Sequence, residues 1–162
     1  SGPLLRSLKL PLPVASIRHH AATATIRNFD ALPLNALMDE RHKVSITRLG
    51  NRLRVAGMSE LGKRADSARV AAINTLLKVA YDWFPDASNY NAATFWSGNS
   101  LALPDGVPLL GSTNVRNVFL NIGHGSAGWS MAAGAGKLVA DMISDRETDI
   151  SAEGLTALRY AV

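Results

Sequence analysis

The clearest pattern of apolar and polar positions is a pair of alternating runs on either side of Gly50-Asn51. Alternation with a period of two is typical of strands that bury one face, and a Gly-Asn pair is typical of a tight turn. The pattern therefore predicts an antiparallel hairpin over residues 42–61. The apolar residues expected on its buried face are Val44, Ile46, Leu53 and Val55, with Leu49 as a further candidate. The arginines expected on the other face, where contact with solvent is favoured over an acidic partner, are Arg48, Arg52 and Arg54.

From Asp66 onward, the spacing of apolar residues changes to that of a helix. This spacing predicts an amphipathic helix that covers the core, and Pro85 would end it because proline cannot continue a helix. The residues expected on the buried face of this helix are Val70, Ile73, Leu77, Ala80 and Phe84.

Shorter patterns occupy the rest of the chain. Three prolines limit residues 1–14 to one helical turn, residues 103–111 have the Pro-Asp-Gly chemistry of a turn, and residues 150–162 form at most one short helix. Strands are predicted over residues 22–29, 91–98 and 117–123, the last of them buried. The order of these elements indicates an α+β fold, or a mixed α/β piece. It would have an antiparallel-rich sheet, one covering helix, and a C-terminal strand, glycine turn and helix.

Composition places the chain among globular proteins, since 47% of its 162 residues are hydrophobic and 19% are charged. It has no apolar run long enough to span a membrane, so it is expected to be soluble or peripheral. The absence of cysteine excludes disulfides and thiol catalysis. The start at Ser1 is expected to be a cut inside a longer protein, although a processed or tagged chain would begin in the same way.

The basic residues do not indicate nucleic-acid binding. The net charge is +4, but the 17 lysines and arginines are scattered among 13 acidic residues. No run of basic residues has the length typical of a nucleic-acid tract.

A glycine turn precedes the final helical pattern, in the stretch "NIGHGSAGWSMAAGAGKLVADMIS". The first N–H groups of a helix lack partners and carry a partial positive charge, which suits an anionic or electron-rich ligand. Gly123, Gly125 and Gly128 have no Cβ to keep a planar ring or a phosphate away, and no charged residue lies between Arg116 and Lys137. The alternative, favoured by spacing alone, is that these small residues let the helix pack tightly against a sheet.

The glycines do not form the dinucleotide-binding fingerprint. Gly123, Gly125 and Gly128 have its three-glycine spacing, but no acidic residue follows a strand at the distance needed to hold a ribose. Asp141 lies at about that distance but within the helical pattern.

Several blocks together resemble one family. "ATFWSG", "LPDGVPLLG" and the glycine-turn stretch resemble the C-terminal part of the FAD-dependent D-amino-acid dehydrogenase small subunit, in the D-amino-acid oxidase-like superfamily. "VSITRLGNRLRVAGMSELG" is similar to the hairpin of that family, and "LTALRY" to its tail. The resemblance extends from about His42 to Tyr160, with the blocks in the family's order.

The resemblance implies an activity and a division of the chain. A parent protein would oxidise D-amino acids to 2-oxo acids and ammonia, and would pass electrons from FAD to a quinone or another acceptor. The 162 residues would be a single fragment, with substrate-domain sheet and helix over about residues 14–97 and a flavin-facing segment over about residues 98–162. The location would be cytoplasmic, with peripheral attachment to the inner face of a bacterial membrane as a further option.

The resemblance also implies flavin-side residues. The helix start would lie near the N1 and C2-carbonyl side of the flavin and stabilise the negative charge of its reduced form. His124 would be a positioning residue rather than a general base, and the resemblance identifies no catalytic residue. The flavin-side residues are Gly98, Gly123, His124, Gly125, Ser126, Ala127, Gly128, Trp129 and Ser130.

Three departures from the family change these expectations. The 162 residues contain no Rossmann unit, Ser100 stands where the family has the arginine that pairs with the substrate carboxylate, and residues 14–40 align poorly. A serine hydroxyl cannot give a carboxylate a charged, bidentate donor pair. The isolated chain is therefore expected to be inactive, and FAD binding by it stays an open question.

Other readings remain. The chain could be a non-catalytic α+β module that self-associates or binds a protein partner. His19-His20 could suggest a metal site, but adjacent residues of an extended chain point to opposite sides and no third ligand lies nearby, so solvated histidines and no metal are expected. Trp83 and Trp96 are expected in the core or at a domain edge.

Overall fold

The computed structural model describes residues 2–62 and 66–160, except for the side chains of residues 66–68. The chain forms two compact units, one from Ser1–Ser16 with Ser100–Val162 and the other from Ile17–Asn99. Its strands are β1 (Ala15–Thr25), β2 (Leu37–Asp39), β3 (Val44–Leu49), β4 (Arg52–Leu61), β5 (Thr94–Ala102), β6 (Leu109–Ser112) and β7 (Phe119–Ile122). Its α-helices are α1 (Gly2–Ser7), α2 (Asp66–Trp83) and α3 (Gly128–Ile143), and its 3-10 helices are Tyr90–Ala92, Gly125–Ala127 and Ala157–Tyr160.

The unit Ile17–Asn99 is built on a five-stranded sheet in the order β2-β3-β4-β1-β5. β1 with β4, β2 with β3 and β3 with β4 are antiparallel pairs. The hairpin predicted around Gly50-Asn51 is confirmed, with Ile46 opposite Val55 and both buried. Residues directly opposite each other share a face of the sheet. Val44, Ile46, Leu53 and Val55 therefore form the buried face, as predicted.

The predicted positions of Arg48 and Leu49 are wrong. Arg48 lies opposite Leu53 and therefore belongs to the buried face, at its end, where its guanidinium carbon lies 4.7 Å from the centre of the Phe29 ring. Leu49 lies opposite Arg52 on the other face and is 53% exposed. The strict two-residue alternation continues to the end of β3, so a charged residue takes the last position on the buried face and is accommodated by an aromatic ring.

Helix α2 covers the sheet, but on a different face from the predicted one. Among the described side chains of α2, the buried ones are Ala72, Leu76, Val79 and Ala80, so the prediction holds for Ala80. Phe84, which follows the helix, also packs against the core as predicted, whereas Val70 is 56% exposed. The buried stripe is rotated by about a quarter of a turn from the expected one. Alanine residues can approach the sheet closely, and a pattern read from the larger apolar side chains does not locate them. Leu76 and Val79 join the core cluster of Val44, Ile46, Leu53 and Val55.

Other boundaries also differ from the predictions. The first strand covers Ala15–Thr25 instead of residues 22–29, because Asn28 Oδ1 accepts the backbone N–H of Asp30 at 3.1 Å and so stabilises a turn there. Helix α1 has six residues, more than the single turn expected. In β7 only Leu120 is buried.

The unit Ser1–Ser16 with Ser100–Val162 contains the antiparallel pair β6-β7 and helix α3. One apolar cluster joins Leu103, Leu109, Leu120 and Ala157 to the N-terminal leucines, and a second joins Leu110 to Leu138 and Val139 of α3. Within its described residues, 150–160, the closing segment forms a single short 3-10 helix, Ala157–Tyr160, as predicted. In the described part of the chain, none of the helices is long and apolar enough to cross a membrane.

A buried leucine and an exposed valine of α2 test the corrected helix face. Leu76→Ala is expected to lower the free energy of unfolding by about 2–5 kcal/mol, because it leaves a cavity in the core. Val70→Ala, on the same helix, is expected to change it by less than about 0.5 kcal/mol. Urea unfolding of both variants measures the difference, and a larger cost at Val70 would favour the face predicted from periodicity.

Asp39 links the end of helix α2 to the edge strand β2. Trp83 Nε1 donates to Asp39 Oδ2 at 2.9 Å, and the backbone N–H of His42 donates to Asp39 Oδ1 at 2.8 Å. These donors, the Trp83 indole first, lower the pKa of the Asp39 carboxyl to about 2.

The lowered pKa of Asp39 predicts a loss of stability in acid. A carboxyl with a lower pKa in the folded state stabilises the protein above its unfolded pKa of about 4, and that contribution disappears as the pH falls towards about 2. Asp39→Asn is expected to remove this part of the pH dependence, whereas Asp30→Asn, at an exposed site, should retain it. Urea midpoints between pH 2 and pH 6 measure the effect, and parallel curves for the Asp39 variant and the unchanged chain would refute it.

Candidate functional site

The glycine turn between β7 and α3 is built on two left-handed residues. Gly123 has φ +80° and Gly125 has φ +54°, conformations that favour glycine. β7 ends at Ile122, the 3-10 helix Gly125–Ala127 follows, and α3 begins at Gly128 without an intervening loop. The predicted sequence of strand, glycine turn and helix is present in the structure.

The two left-handed glycines have different surroundings. A Cβ at Gly123 would lie 2.4 Å from Leu103 Cδ1, so this buried glycine lets the turn pack directly on a leucine. A Cβ at Gly125 would meet no atom within 4 Å, and the residue is exposed. Gly123 therefore fits the packing alternative, whereas Gly125 fits a surface open to a ligand.

The start of α3 carries a partial positive charge that no side chain neutralises. Its N-cap residue, Ala127, makes no side-chain capping bond, and no acidic residue lies in the first turn. The Ser130 hydroxyl donates back to the carbonyl of Ala127 at 2.9 Å. The exposed residues around this helix start are Gly125, Ser126, Ala127, Trp129 and Ser130, of which Trp129 is 95% exposed. The N–H groups of the helix start can therefore donate hydrogen bonds to acceptor atoms of a ligand.

His124 lies half-buried under the helix start. The Cβ of His124 lies 3.3 Å from the position that a Cβ on Gly128 would take, so His124 lies against the first residue of α3. Its Nε2 is buried and has no hydrogen-bond partner. A buried polar atom without a partner is costly, and a ligand can remove that cost. The unpaired nitrogen, the uncapped helix start and the open space at Gly125 together form a surface that suits a ligand with hydrogen-bonding atoms at its edge.

Gly98 and Ser100 both lie in β5. A Cβ on Gly98 would lie 2.1 Å from Cη2 of Trp96, so the indole ring occupies the space beside this glycine. Trp96 is nevertheless 56% exposed, and Trp83 is 58% exposed, so neither tryptophan is a core residue. Ser100 is half-buried. Gly98 belongs to the unit Ile17–Asn99, whereas residues 123–130 are gathered at one end of α3 in the other unit.

The expectation of solvated histidines is wrong for His20. This side chain is 1% exposed; its Nδ1 lies 2.7 Å from Ser97 Oγ, and its Nε2 lies 3.4 Å from Glu60 Oε2. The register of β1 against β4 shifts between Arg18 and His20, which turns His20 inward. His20, Ala22 and Ala24 are two residues apart, as on one face of a strand, and both alanines are buried. This spacing was the sequence signal that could have indicated a buried His20. Within residues 2–62 and 66–160, no group of three histidine or acidic side chains could hold a metal.

The position of Trp96 tests the role of Gly98. Gly98→Ala is expected to displace the indole ring and change the emission maximum and acrylamide quenching of Trp96, measured with Trp83 and Trp129 replaced by phenylalanine. Because the ring is exposed and can rotate, the free energy of unfolding should change by less than about 1 kcal/mol. Gly134→Ala in α3, where an added Cβ meets no atom within 4 Å, is the control. Unchanged Trp96 emission in Gly98→Ala would contradict the packing.

Comparisons with known proteins identify relatives over almost the whole chain. A family model described as "FAD dependent oxidoreductase" matches residues 1–142. A "D-amino acid dehydrogenase" of Methylobacterium radiotolerans is 42% identical over 158 residues, which are 98% of this chain and 38% of that protein. One of Neisseria meningitidis is 39% identical over 160 residues, with 99% and 38% covered. The chain thus spans well under half the length of these relatives.

Solved structures share the fold. Glycine oxidase from Geobacillus kaustophilus matches with a TM-score of 0.77 at 25% identity, over 96% of this chain and 42% of that one. L-amino acid deaminase from Proteus vulgaris matches with a TM-score of 0.69 at 12% identity, over 96% and 39%, which shows a common fold alone. The predicted fold class, mixed α and β with antiparallel sheets and few helices, is confirmed.

Proposed function

We propose that this chain, which belongs to the family of FAD-dependent oxidoreductases, is the C-terminal part of a longer enzyme. That enzyme would oxidatively deaminate D-amino acids to 2-oxo acids and ammonia. Relatives at 39% and 42% identity carry the name D-amino acid dehydrogenase. The observation that carries the proposal is the exposed, uncapped start of α3 after the glycine turn. Because the chain spans 38% of those relatives, this activity is proposed for the longer protein and the isolated chain is proposed to be inactive.

The glycine turn and helix start are proposed to hold one edge of FAD, which supplies the two-electron chemistry when bound. Gly125 leaves room for a flat ring to approach the backbone N–H groups at the start of α3, and Gly128 lets α3 begin directly against His124. Those N–H groups and the helix dipole stabilise negative charge beside them, and no nearby acidic side chain opposes this.

His124 and Trp129 are proposed to orient the ring. His124 Nε2 is a buried group without a partner at this helix start and would bind a polar atom of the cofactor, as a positioning residue. The almost fully exposed indole of Trp129 offers apolar surface at the same helix start. The remaining residues proposed to lie on the flavin side are Gly98, Gly123, Ser126, Ala127 and Ser130.

Ser100 is proposed to contribute little to substrate binding. Its hydroxyl cannot form the charged, bidentate pair that an arginine forms with a carboxylate. The substrate carboxylate would then be held by other groups of the longer protein. A D-amino acid and a quinone or another electron acceptor remain the proposed partners, with a cytoplasmic or membrane-peripheral location. None of the matches reported above favours a non-catalytic interaction module.

FAD binding tests the proposed site. The unchanged chain is expected to quench FAD fluorescence saturably, and Gly125→Val with Gly128→Val should abolish the quenching, because valine side chains fill the space at Gly125 and press on His124. The matched control is Gly134→Val with Gly136→Val in α3, where an added Cβ at either glycine would meet no atom within 4 Å. Circular dichroism checks that each variant is folded.

The outcome that contradicts the site is equal affinity for FAD in the unchanged chain and in the folded Gly125 and Gly128 variant. If the unchanged chain alone does not bind FAD, the same variants and control are compared in the longer protein. In the longer protein, the Gly125 and Gly128 variant is again expected to lose FAD binding, while the Gly134 and Gly136 control keeps it.

A further inference from the structure

Arg159 binds the connection between β5 and β6 with its whole guanidinium group. Nε donates to Asp105 Oδ2 at 2.9 Å and Nη2 to Asp105 Oδ1 at 3.3 Å. Nη2 also donates to the Val107 carbonyl at 2.5 Å, and Nη1 donates to the carbonyls of Pro108 and Gly154, each at 3.0 Å. Three residues of one short connection are thus bound by a side chain more than 50 positions away in the sequence.

These contacts differ from an isolated surface ion pair. Exposed pairs contribute little, but a bidentate pair with additional bonds to carbonyls fixes geometry. The Arg159 side chain is only 15% exposed, and its guanidinium lowers the pKa of the Asp105 carboxyl below its usual range. Asp105 in turn accepts the backbone N–H of Val107 at 3.1 Å. Without Arg159, the carbonyls of Val107 and Pro108 would lose this donor, and the connection would keep only its local bonds.

The two ends of the clamped connection lie under the glycine turn. A Cβ at Gly123 would lie 2.4 Å from Leu103 Cδ1, 3.1 Å from Leu103 Cγ and 3.9 Å from Pro108 Cα. Leu103 is 5% exposed and shares an apolar cluster with Ala157, from the same short helix as Arg159. A shift of the connection would therefore move the surface on which Gly123 rests.

We infer that Arg159 is a positioning residue for the glycine turn: it fixes the connection over residues 103–108, which fixes Gly123 and hence the place at which α3 begins. The expected effect of Arg159 on FAD binding rests on the proposed function. Arg159 does not need to touch the cofactor, since it acts through Leu103 and Pro108.

The test compares Arg159→Gln with Arg116→Gln, an exposed arginine between β6 and β7. The first readout needs no cofactor: the amide resonances of Gly123 and Gly125 in the isotope-labelled 162-residue chain. Arg159→Gln is expected to move both resonances and Arg116→Gln neither. Arg159→Lys, which keeps the charge but loses the bidentate geometry, should give an intermediate shift.

The second readout is the dissociation constant for FAD, which Arg159→Gln should raise by about 2- to 30-fold, in the range typical of indirect positioning effects. Asp105→Asn is a milder variant, in case Arg159→Gln does not fold, because it leaves the three carbonyl contacts of Arg159 in place. It should move the same two resonances by less.

The outcomes separate the inference from the proposed function. Unmoved Gly123 and Gly125 resonances in folded Arg159→Gln and Asp105→Asn overturn the inference, whatever FAD does. Moved resonances together with weaker FAD binding support both. Moved resonances, with no FAD binding by either the 162-residue chain or the longer protein, support the role of Arg159 and count against the proposed function.

Discussion

The candidate site depends on the left-handed backbone of the turn between β7 and α3. Gly123 must lack a side chain because Leu103 occupies that space, and its φ of +80° reverses the chain at once. Gly125 repeats the left-handed conformation at the surface, where nothing fills the space beside it. The turn thus packs tightly at Gly123 and leaves an open face at Gly125, and α3 can begin immediately after it. Close packing therefore explains Gly123, whereas the open space at Gly125 is the part of the turn that a ligand could reach.

The electrostatic character of the site follows from the absence of a capping or acidic side chain at the start of α3. The N-cap residue of α3 is Ala127, whose methyl side chain cannot cap the helix, and the first helical turn contains no carboxylate. The partial charge of the helix start is therefore available to a bound acceptor. His124 adds a buried nitrogen without a partner at the same position. For this member of the FAD-dependent oxidoreductase family, we propose that these features lie beside the flavin and stabilise the charge of its reduced form, while the redox chemistry is that of the cofactor.

Local patterns in the sequence predicted local structure well. The Gly50-Asn51 hairpin, the helix ending before Pro85 and the strand leading into the glycine turn all depend on near neighbours, and the family was identified from blocks in the right order. Features that depend on distant residues were not predictable. The bulge that buries His20 comes from the pairing of β1 with β4, and the buried face of α2 is set by the sheet beneath it. The contact of Arg159 with Asp105 joins positions that no periodicity relates.

The central claim is that the start of α3 faces the flavin, and the most direct measurement is an NMR titration of the isotope-labelled chain with FAD. The largest amide shifts are expected in residues 124–130, and they should grow when the flavin is reduced, because its negative charge would then lie beside the helix start. Shifts confined to other parts of the chain, with residues 124–130 unchanged, would contradict it.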